Sequence, residues 1–87
     1  MKGASVTEQL DYTLDITAEV CPLTFVKTKL LIEKMRSGQV AEVRLKGAEP
    51  LGNVPRSVRE LGHDILSMTL EDGEPADGIH RLRIRKA

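Results

Sequence analysis

The stretch 12–37 constrains the fold of this chain more than any other part of it. Its first part alternates apolar and polar side chains, the period-two pattern of a strand with one buried face; the apolar ones are Tyr12, Leu14 and Ile16. A short connection then ends in Cys21-Pro22, and a run without glycine or proline extends from Leu23 to Ser37. Because proline is favoured at the first position of a helix, the sequence predicts a strand, a connection and a helix that starts at Pro22.

The predicted helix carries two sets of apolar side chains. One arc should cover a sheet; it consists of Phe25, Leu31, Ile32 and Met35, with Thr24 and Thr28 inside it. Leu23, Val26 and Leu30 lie on a different side, among charged residues. This second set indicates either partial burial against a neighbouring loop or an exposed apolar strip where a partner docks. Gly38 is expected to end the helix in the left-handed conformation.

Three further strands and one helix are predicted after Gly38. The strands are Val40–Leu45, Asp64–Leu70 and Ile79–Arg85, the last two forming an antiparallel hairpin. Residues 46–52 are expected to form a loop, Asn53 to cap the second helix, Pro55 to lie in its first turn and Gly62 to end it. Val54, Val58 and Leu61 share one face of that helix. The predicted order is βαβαββ.

Length and composition limit what the chain can do. Its 87 residues suffice for one domain, with residues 1–10 expected to be disordered. Thirteen basic and thirteen acidic residues cancel, so no overall charge attracts nucleic acid or anionic lipid. Tyr12 and Phe25 are the only aromatic residues, which disfavours binding by base stacking. With no signal-like or membrane-spanning segment, we expect a cytoplasmic protein.

Cys21 is the only cysteine and the main candidate for chemistry. It cannot form an internal disulfide, and with only His63 and His80 it cannot complete a four-ligand zinc set, so no metal or cofactor is expected. The predicted helix start would favour a thiolate at Cys21, through unpaired backbone N–H groups and the helix dipole. A free cysteine is also often simply buried. A cysteine–histidine dyad is not expected, because His63 should lie at the opposite end of the sheet and His80 on a strand.

Basic residues suggest further contacts. Lys27 on the first helix, and Lys46 and Arg56 around the start of the second, either solubilise the surface or meet a partner. Arg81, Arg83 and Arg85 should project from the uncovered face of the sheet, near Asp15, Glu42 and Arg44. That charged face indicates a solvated surface with cross-strand pairs, or, as an alternative, an RNA-binding stripe.

The order of these features resembles the TusA/SirA/YeeD family of small sulfur-carrier proteins. The resemblance extends from Leu14 to Lys86. It rests on Leu14-Asp15 before Cys21-Pro22, on Met35 and Gly38 after the first helix, on Val54-Pro55 and Gly62-His63 around the second, and on the final Ile84-Arg85-Lys86.

The resemblance implies a fold and a function. The fold is a two-layer α/β sandwich, in which a four-stranded mixed sheet carries both helices on one face. Cys21 would accept sulfane sulfur as a persulfide from a donor, a cysteine desulfurase or rhodanese-like protein, and pass it to an acceptor. Pro22 is the first proline of the family's motif. Relatives serve tRNA thiolation, molybdenum-cofactor maturation and sulfur oxidation. We expect a monomer that binds neither membrane nor nucleic acid directly, with Leu23, Val26, Lys27, Leu30, Lys46 and Arg56 as possible docking residues.

The chain departs from the family pattern at three places. Thr24 replaces the second proline of Cys-Pro-x-Pro, Gly47-Ala48 stands where relatives carry an acidic residue and proline, and Asn53 replaces an acidic residue. These differences leave open an alternative in which the chain is an interaction or regulatory module that has kept the fold and lost the chemistry.

Overall fold

The computed structural model describes residues 10–20 and 22–87. Its elements are β1 (Tyr12–Asp15), α1 (Leu23–Lys34), β2 (Val40–Leu45), α2 (Ala48–Glu60), β3 (Asp64–Leu70) and β4 (His80–Arg85). The order βαβαββ predicted from the sequence is confirmed. Cys21 lies outside the described residues, as does all of the predicted disordered segment except Leu10.

The four strands form one mixed sheet in the order β1-β2-β4-β3. β1 and β2 are parallel and joined through α1, whereas β4 is antiparallel to both β2 and β3. Asp15 at the end of β1 lies beside Arg44, and Arg44 lies beside Arg81 near the start of β4. The connection after β1 therefore leaves the sheet at the end where β2 finishes and β4 begins.

Both helices pack against the same face of the sheet. The sheet supplies alternate residues that are fully buried: Ala41, Val43 and Leu45 from β2, and Leu82 and Ile84 from β4. From the helical side come Leu31 and Ile32 of α1, Met35 just beyond it, and Val54 and Val58 of α2. Ile16 from the connection joins the same cluster. This is the two-layer sandwich expected from the resemblance.

The second helix begins earlier than predicted. It starts at Ala48, so residues 48–52 are helical rather than part of a loop, and Asn53 lies inside the helix instead of capping it. Pro50 occupies the first turn, where its missing N–H is not needed, while Pro55 lies in the helix interior and is buried. The N-cap is Gly47, whose φ of 102° is accessible to glycine and strongly disfavoured for other residues.

Each helix ends differently. α2 ends at Glu60, and the predicted Gly62 closes it in a Schellman motif, with Gly62 N–H donating to Arg59 O and His63 N–H to Val58 O. α1 ends at Lys34 rather than Ser37, because Met35 adopts an extended conformation that buries its side chain. Gly38 has the predicted positive φ, 87°, but it serves the turn into β2 and not the helix end. Leu61, predicted to share the buried face of α2, is 44% exposed.

The outer strand β3 is irregular. Its pairing with β4 shifts between Ile65 and Ser67, so Leu66 forms a bulge. Leu66, Met68 and Leu70 are all more than two-fifths exposed. β1 is the other edge of the sheet. None of the helices in the described part of the chain is long and apolar enough to cross a membrane.

Candidate functional site: the connection from the first strand to the first helix

The connection after β1 is held by main-chain and side-chain hydrogen bonds. Ile16 is 1% exposed, and its N–H donates to Arg44 O at 2.9 Å. Asp15 Oδ1 accepts hydrogen bonds from the N–H of Thr17 at 2.9 Å and from its hydroxyl at 2.7 Å. Glu19 N–H then donates to Ile16 O at 3.1 Å. The residues that lead to the cysteine thus form an ordered turn anchored to the end of the sheet.

The helix starts one residue later than predicted. Pro22 is the N-cap of α1 and Leu23 its first residue, whereas the sequence placed Pro22 in the first helical position. Pro22 O accepts from Val26 N–H at 3.0 Å, and Leu23 N–H donates to Val20 O at 2.8 Å. No side-chain hydrogen bond caps this end, and the first turn contains no acidic residue. The positive end of the helix dipole is therefore not neutralised by the helix's own side chains.

Thr24 lies in the first turn of α1 and is fully buried. Its carbonyl accepts a hydrogen bond from the Thr28 hydroxyl at 2.8 Å. Both threonines lie on the face that covers the sheet, as predicted, whereas Phe25 is only half-buried. Thr24 is thus integrated into the core beneath the helix start.

An apolar strip lies exposed beside this helix start. Of the three residues for which the sequence left two interpretations open, Leu23 is 46%, Val26 40% and Leu30 53% exposed. The structure adds Val20, which is 70% exposed and was not singled out from the sequence. An isolated valine next to a cysteine carries no periodicity, so only its exposure identifies it. We call Val20, Leu23, Val26 and Leu30 the apolar strip.

The predicted basic docking residues are distributed unevenly. Lys27 borders the apolar strip and pairs with Glu19 of the connection at 2.7 Å. Lys46 is exposed and follows β2 at the end of the sheet from which the connection leaves. Arg56 lies within α2, about 12 Å along the helix from its first residue, and donates to Asn53 Oδ1. Lys27 and Lys46 therefore flank the connection, while Arg56 belongs to the second helix.

The uncovered face of the sheet carries paired charges. Arg44 donates to both oxygens of Glu71, at 2.7 and 3.1 Å, and to Asp15 Oδ2 at 2.6 Å. Arg81 pairs with Glu71, Arg83 with Glu42 and Arg85 with Asp64.

These pairs shift the pKa values of two carboxylates on this face. Hydrogen bonds from Arg44 and Arg81 lower the pKa of Glu71 to about 2. Hydrogen bonds from Thr17, with help from Arg44, lower the pKa of Asp15. Because each arginine of the predicted stripe has a carboxylate partner, a phosphate would have to compete for it.

The histidines lie away from the connection. His63 follows α2 at the opposite end of the sheet, as predicted, and accepts from Ala87 N–H. His80 lies on β4, whose pairing with β2 puts it two strands, or about 10 Å, from β1. Its Nδ1 is 2.9 Å from Gly78 O. Within residues 10–20 and 22–87, no three histidine, aspartate or glutamate side chains are grouped so as to hold a metal ion.

Comparison with known families gives one match over most of the chain. The model for "Sulfurtransferase TusA" matches residues 12–86. This range includes every strand and helix and the connection between β1 and α1.

Two relatives classed by name as sulfur carrier proteins support this match. One from Archaeoglobus fulgidus is 47% identical over 55 residues. These residues are 63% of this chain and 62% of the relative's length. One from Thermotoga maritima is 35% identical over 60 residues, 69% of this chain and 76% of the relative. The match to the archaeal relative thus leaves more than a third of that protein uncovered.

Solved structures show the same fold at low sequence identity. The crystal structure of a SirA-like protein from Desulfitobacterium hafniense has a TM-score of 0.71 and 19% identity, covering 85% of this chain and 95% of that one. A solution structure from Helicobacter pylori has a TM-score of 0.60 and 14% identity, with the same coverage. At these identities the likeness concerns the fold alone.

Proposed function

This chain belongs to the TusA family of sulfurtransferases, and from that membership we propose that it is a sulfur carrier working through a persulfide on Cys21. It would take sulfane sulfur from a donor protein, a cysteine desulfurase or a rhodanese-like protein, and pass it to an acceptor protein or to a tRNA- or cofactor-modifying system. The observation that carries the proposal is the course of the chain. An anchored connection leads from the end of a parallel strand to an uncapped helix N-terminus, and the only cysteine immediately precedes the N-cap residue.

The helix start supports an anionic sulfur. A negative charge near a helix N-terminus is stabilised by about 0.3–1 kcal/mol, and the first turn of α1 offers no carboxylate that would oppose it. Both the thiolate that attacks and the persulfide that results carry negative charge near neutral pH. A single reduced cysteine also suits a reducing compartment, and we propose the cytoplasm as its location and a monomer as its working form.

The transfer needs no oxidant, because the sulfur arrives already in the sulfane state. The Cys21 thiolate attacks the outer sulfur of the donor's persulfide, and a new S–S bond forms as the donor's own S–S bond breaks. The donor cysteine leaves as a thiolate, and the transferred sulfur keeps the donor persulfide's proton or releases it to solvent. Attack by an acceptor thiolate on the outer sulfur of the Cys21 persulfide repeats the exchange and regenerates the Cys21 thiolate.

The apolar strip is the surface we propose for docking the sulfur-exchange partners. Its four members lie exposed on the connection and on α1, from the residue before Cys21 to the ninth residue after it. Leu30 also lines a groove between α1 and the edge strand β1, together with Tyr12, Leu14, Lys27, Leu31 and Lys34. A partner that covers the strip would exclude water around the exchanging sulfurs. Lys27 and Lys46 would then flank the contact.

Loading of the cysteine tests the proposed chemistry directly. After incubation with a cysteine desulfurase and L-cysteine, intact mass should show one added sulfur atom on the wild type and none on Cys21→Ser. Since Cys21 is the only cysteine, the site is unambiguous. Dithiothreitol should remove the added mass, which distinguishes a persulfide from irreversible sulfinic acid of similar mass. Equal loading of Cys21→Ser would contradict the role of Cys21.

A wild type that gains no sulfur from either class of donor would instead favour the interaction module. Titration of the thiol by alkylation rate then separates the two accounts. An apparent pKa at or above that of free cysteine, about 8.5, is expected of a module without the chemistry. A lower value is expected of a carrier.

The docking surface has its own test. Leu30→Gln should raise the KM for the donor protein about five- to tenfold, the effect of losing a moderate interface contact. Its melting temperature should stay close to that of the wild type, because Leu30 is 53% exposed. Leu66→Gln on β3 is the matched control, since Leu66 is 45% exposed and lies on the other edge of the sheet. Equal KM values for the two variants would refute docking through the strip.

A further inference from the structure

Asp15 holds the turn that leads to Cys21. One oxygen of its carboxylate accepts both the N–H and the hydroxyl of Thr17, at 2.9 and 2.7 Å. An aspartate that bonds the backbone two residues ahead fixes the local chain direction in the way of an Asx turn. The turn is also fixed to the neighbouring strand β2, because the N–H of the buried Ile16 donates a hydrogen bond to Arg44 O. The chain then reaches the N-cap of α1 only a few residues later.

The second oxygen of Asp15 is held by an arginine that is itself anchored. Arg44 lies directly beside Asp15 on the neighbouring strand and donates to Oδ2 at 2.6 Å. The same guanidinium makes a two-bond contact with Glu71, whose side chain is only 15% exposed. A bidentate pair of this kind restricts the orientation of the arginine. Glu71 and Arg44 therefore hold one oxygen of Asp15 in place, while the other oxygen orients the turn.

We propose that Asp15 is a positioning residue for the sulfur exchange at Cys21. This inference rests on the proposed function and adds to it a residue that contacts neither the sulfur nor the partner. Asp15 acts through Thr17: its carboxylate sets the direction in which the chain leaves the sheet, and with it the approach of the connection to the helix N-terminus. The same hydrogen bonds from Thr17 lower the pKa of Asp15, as expected where the charged form of the carboxylate is the acceptor.

The chain provides a closely matched control in Asp64. Both aspartates stand at strand ends on the uncovered face, and both pair with an arginine of the neighbouring strand. Their side chains are 51% and 53% exposed. Asp64 lies beside Arg85, at the end of the sheet opposite to the connection. Replacing Asp64 therefore removes an equivalent ion pair and leaves the turn at Thr17 untouched.

The test compares Asp15→Ala, Asp15→Asn and Asp64→Ala with the wild type for sulfur loading by a desulfurase, alkylation of Cys21 by iodoacetamide, and melting temperature. Asp15→Ala should lower the kcat of loading about tenfold or more, the scale of losses from misplaced reacting groups, with little change in the KM for the donor. Asp15→Asn should recover most of this loss, because an asparagine oxygen can still accept from Thr17 although the charge facing Arg44 is gone. Asp64→Ala should load within about twofold of the wild type, as expected of a surface pair remote from the site.

The outcomes separate the two proposals. If the wild type loads and Asp15→Ala loads as fast as Asp64→Ala, Asp15 has no positioning role. If Asp15→Asn is as slow as Asp15→Ala, the charge and not the turn matters, and the inference is equally wrong. If the wild type does not load, the proposed function fails, and the alkylation rates still decide: equal rates in Asp15→Ala and Asp64→Ala overturn the role of Asp15.

A second pair of variants covers the case in which Asp15→Ala does not fold. Thr17→Val removes the hydroxyl donor from the same turn, and Thr69→Val changes an exposed threonine of β3 at the other edge of the sheet. Slower loading of Thr17→Val than of Thr69→Val supports the inference. Equal loading of these two contradicts it.

Discussion

At the scale of single residues, the first turn of α1 shows what a buried hydroxyl contributes. Thr28 is 1% exposed, and its hydroxyl donates to Thr24 O within the same helix. A hydroxyl that bonds the carbonyl four residues back adds little to the helix, because that carbonyl already accepts a main-chain bond. The methyl group of Thr28, by contrast, fills space against the sheet. The two groups on one side chain should therefore differ in their effect on stability.

Two substitutions separate these contributions. Thr28→Val keeps the shape and should change the free energy of unfolding by less than about 1 kcal/mol, the net value of one hydrogen bond. Thr28→Ser keeps the hydroxyl and should cost about 1 kcal/mol, through the lost methyl and the space that it leaves. Urea unfolding of both variants measures the difference. A larger loss for valine than for serine would show that the hydroxyl dominates.

At the scale of elements, α2 illustrates how glycine and proline mislead sequence analysis. Residues 46–52, which include Gly47, Pro50 and Gly52, are predicted from the sequence to form a loop, with Asn53 as the cap of the second helix. In the structure, Gly47 makes the turn through a positive φ, and Pro50 occupies the first helical turn. Both Pro50 and Pro55 are buried in the structure. Which of them lies in the first turn therefore depends on the tertiary packing, which the local sequence does not reveal.

Two glycine substitutions should therefore have opposite signs. Gly47→Ala should destabilise the fold by about 1–3 kcal/mol, because φ 102° and ψ 147° are almost exclusive to glycine. Gly52→Ala should stabilise it by about 0.5–1 kcal/mol, because Gly52 lies inside α2 and an added Cβ would meet nothing within 4 Å. Chemical denaturation of both variants provides the measurement. A destabilised Gly52→Ala would argue that α2 starts later than Ala48.

Other elements were predictable because one local pattern dominates them. β2 follows its period-two alternation, and the predicted range Val40–Leu45 is the observed one. Gly62 ends α2 because a Schellman motif needs its conformation. The end of α1 was missed because Met35 is apolar at a helical spacing, yet reaches the core from an extended backbone. At the candidate site, a helix start beside Cys21-Pro22 was predicted to within one residue. The proposed role of the Asp15 carboxylate was not predicted, because the sequence analysis assigned Asp15 only to the charged face of the sheet and not to a hydrogen-bonded turn with Thr17.

At the scale of the whole molecule, the uncovered face links β1, β2 and β4 through ion pairs around Glu71. The pKa of Glu71 in the folded chain is about 2, against an ordinary value of 4.5, because Arg44 and Arg81 donate to its carboxylate. A carboxylate with a lowered pKa stabilises the fold above its ordinary pKa, and this contribution is lost as the pH falls through the folded value. The relevant window is therefore between about pH 4.5 and pH 2.

Glu71→Gln should remove this contribution. The variant should melt below the wild type at pH 7, and the gap between them should narrow as the pH falls from about 4.5 towards 2. Thermal unfolding at several pH values measures the gap. Glu60→Gln, on an exposed position of α2, controls for the loss of one negative charge. A similar narrowing in that variant would contradict the assignment to the Arg44–Glu71 pair.

The bulge at Leu66 has a consequence for the protein at high concentration. β3 is an edge strand with three exposed apolar side chains, and a straight edge of this composition is a template on which further chains add strand by strand. The bulge breaks the regular spacing of the hydrogen-bonding groups along β3 and increases its local twist. A molecule with an exposed apolar strip along α1 thereby limits fibrillar self-association through the edge strand β3.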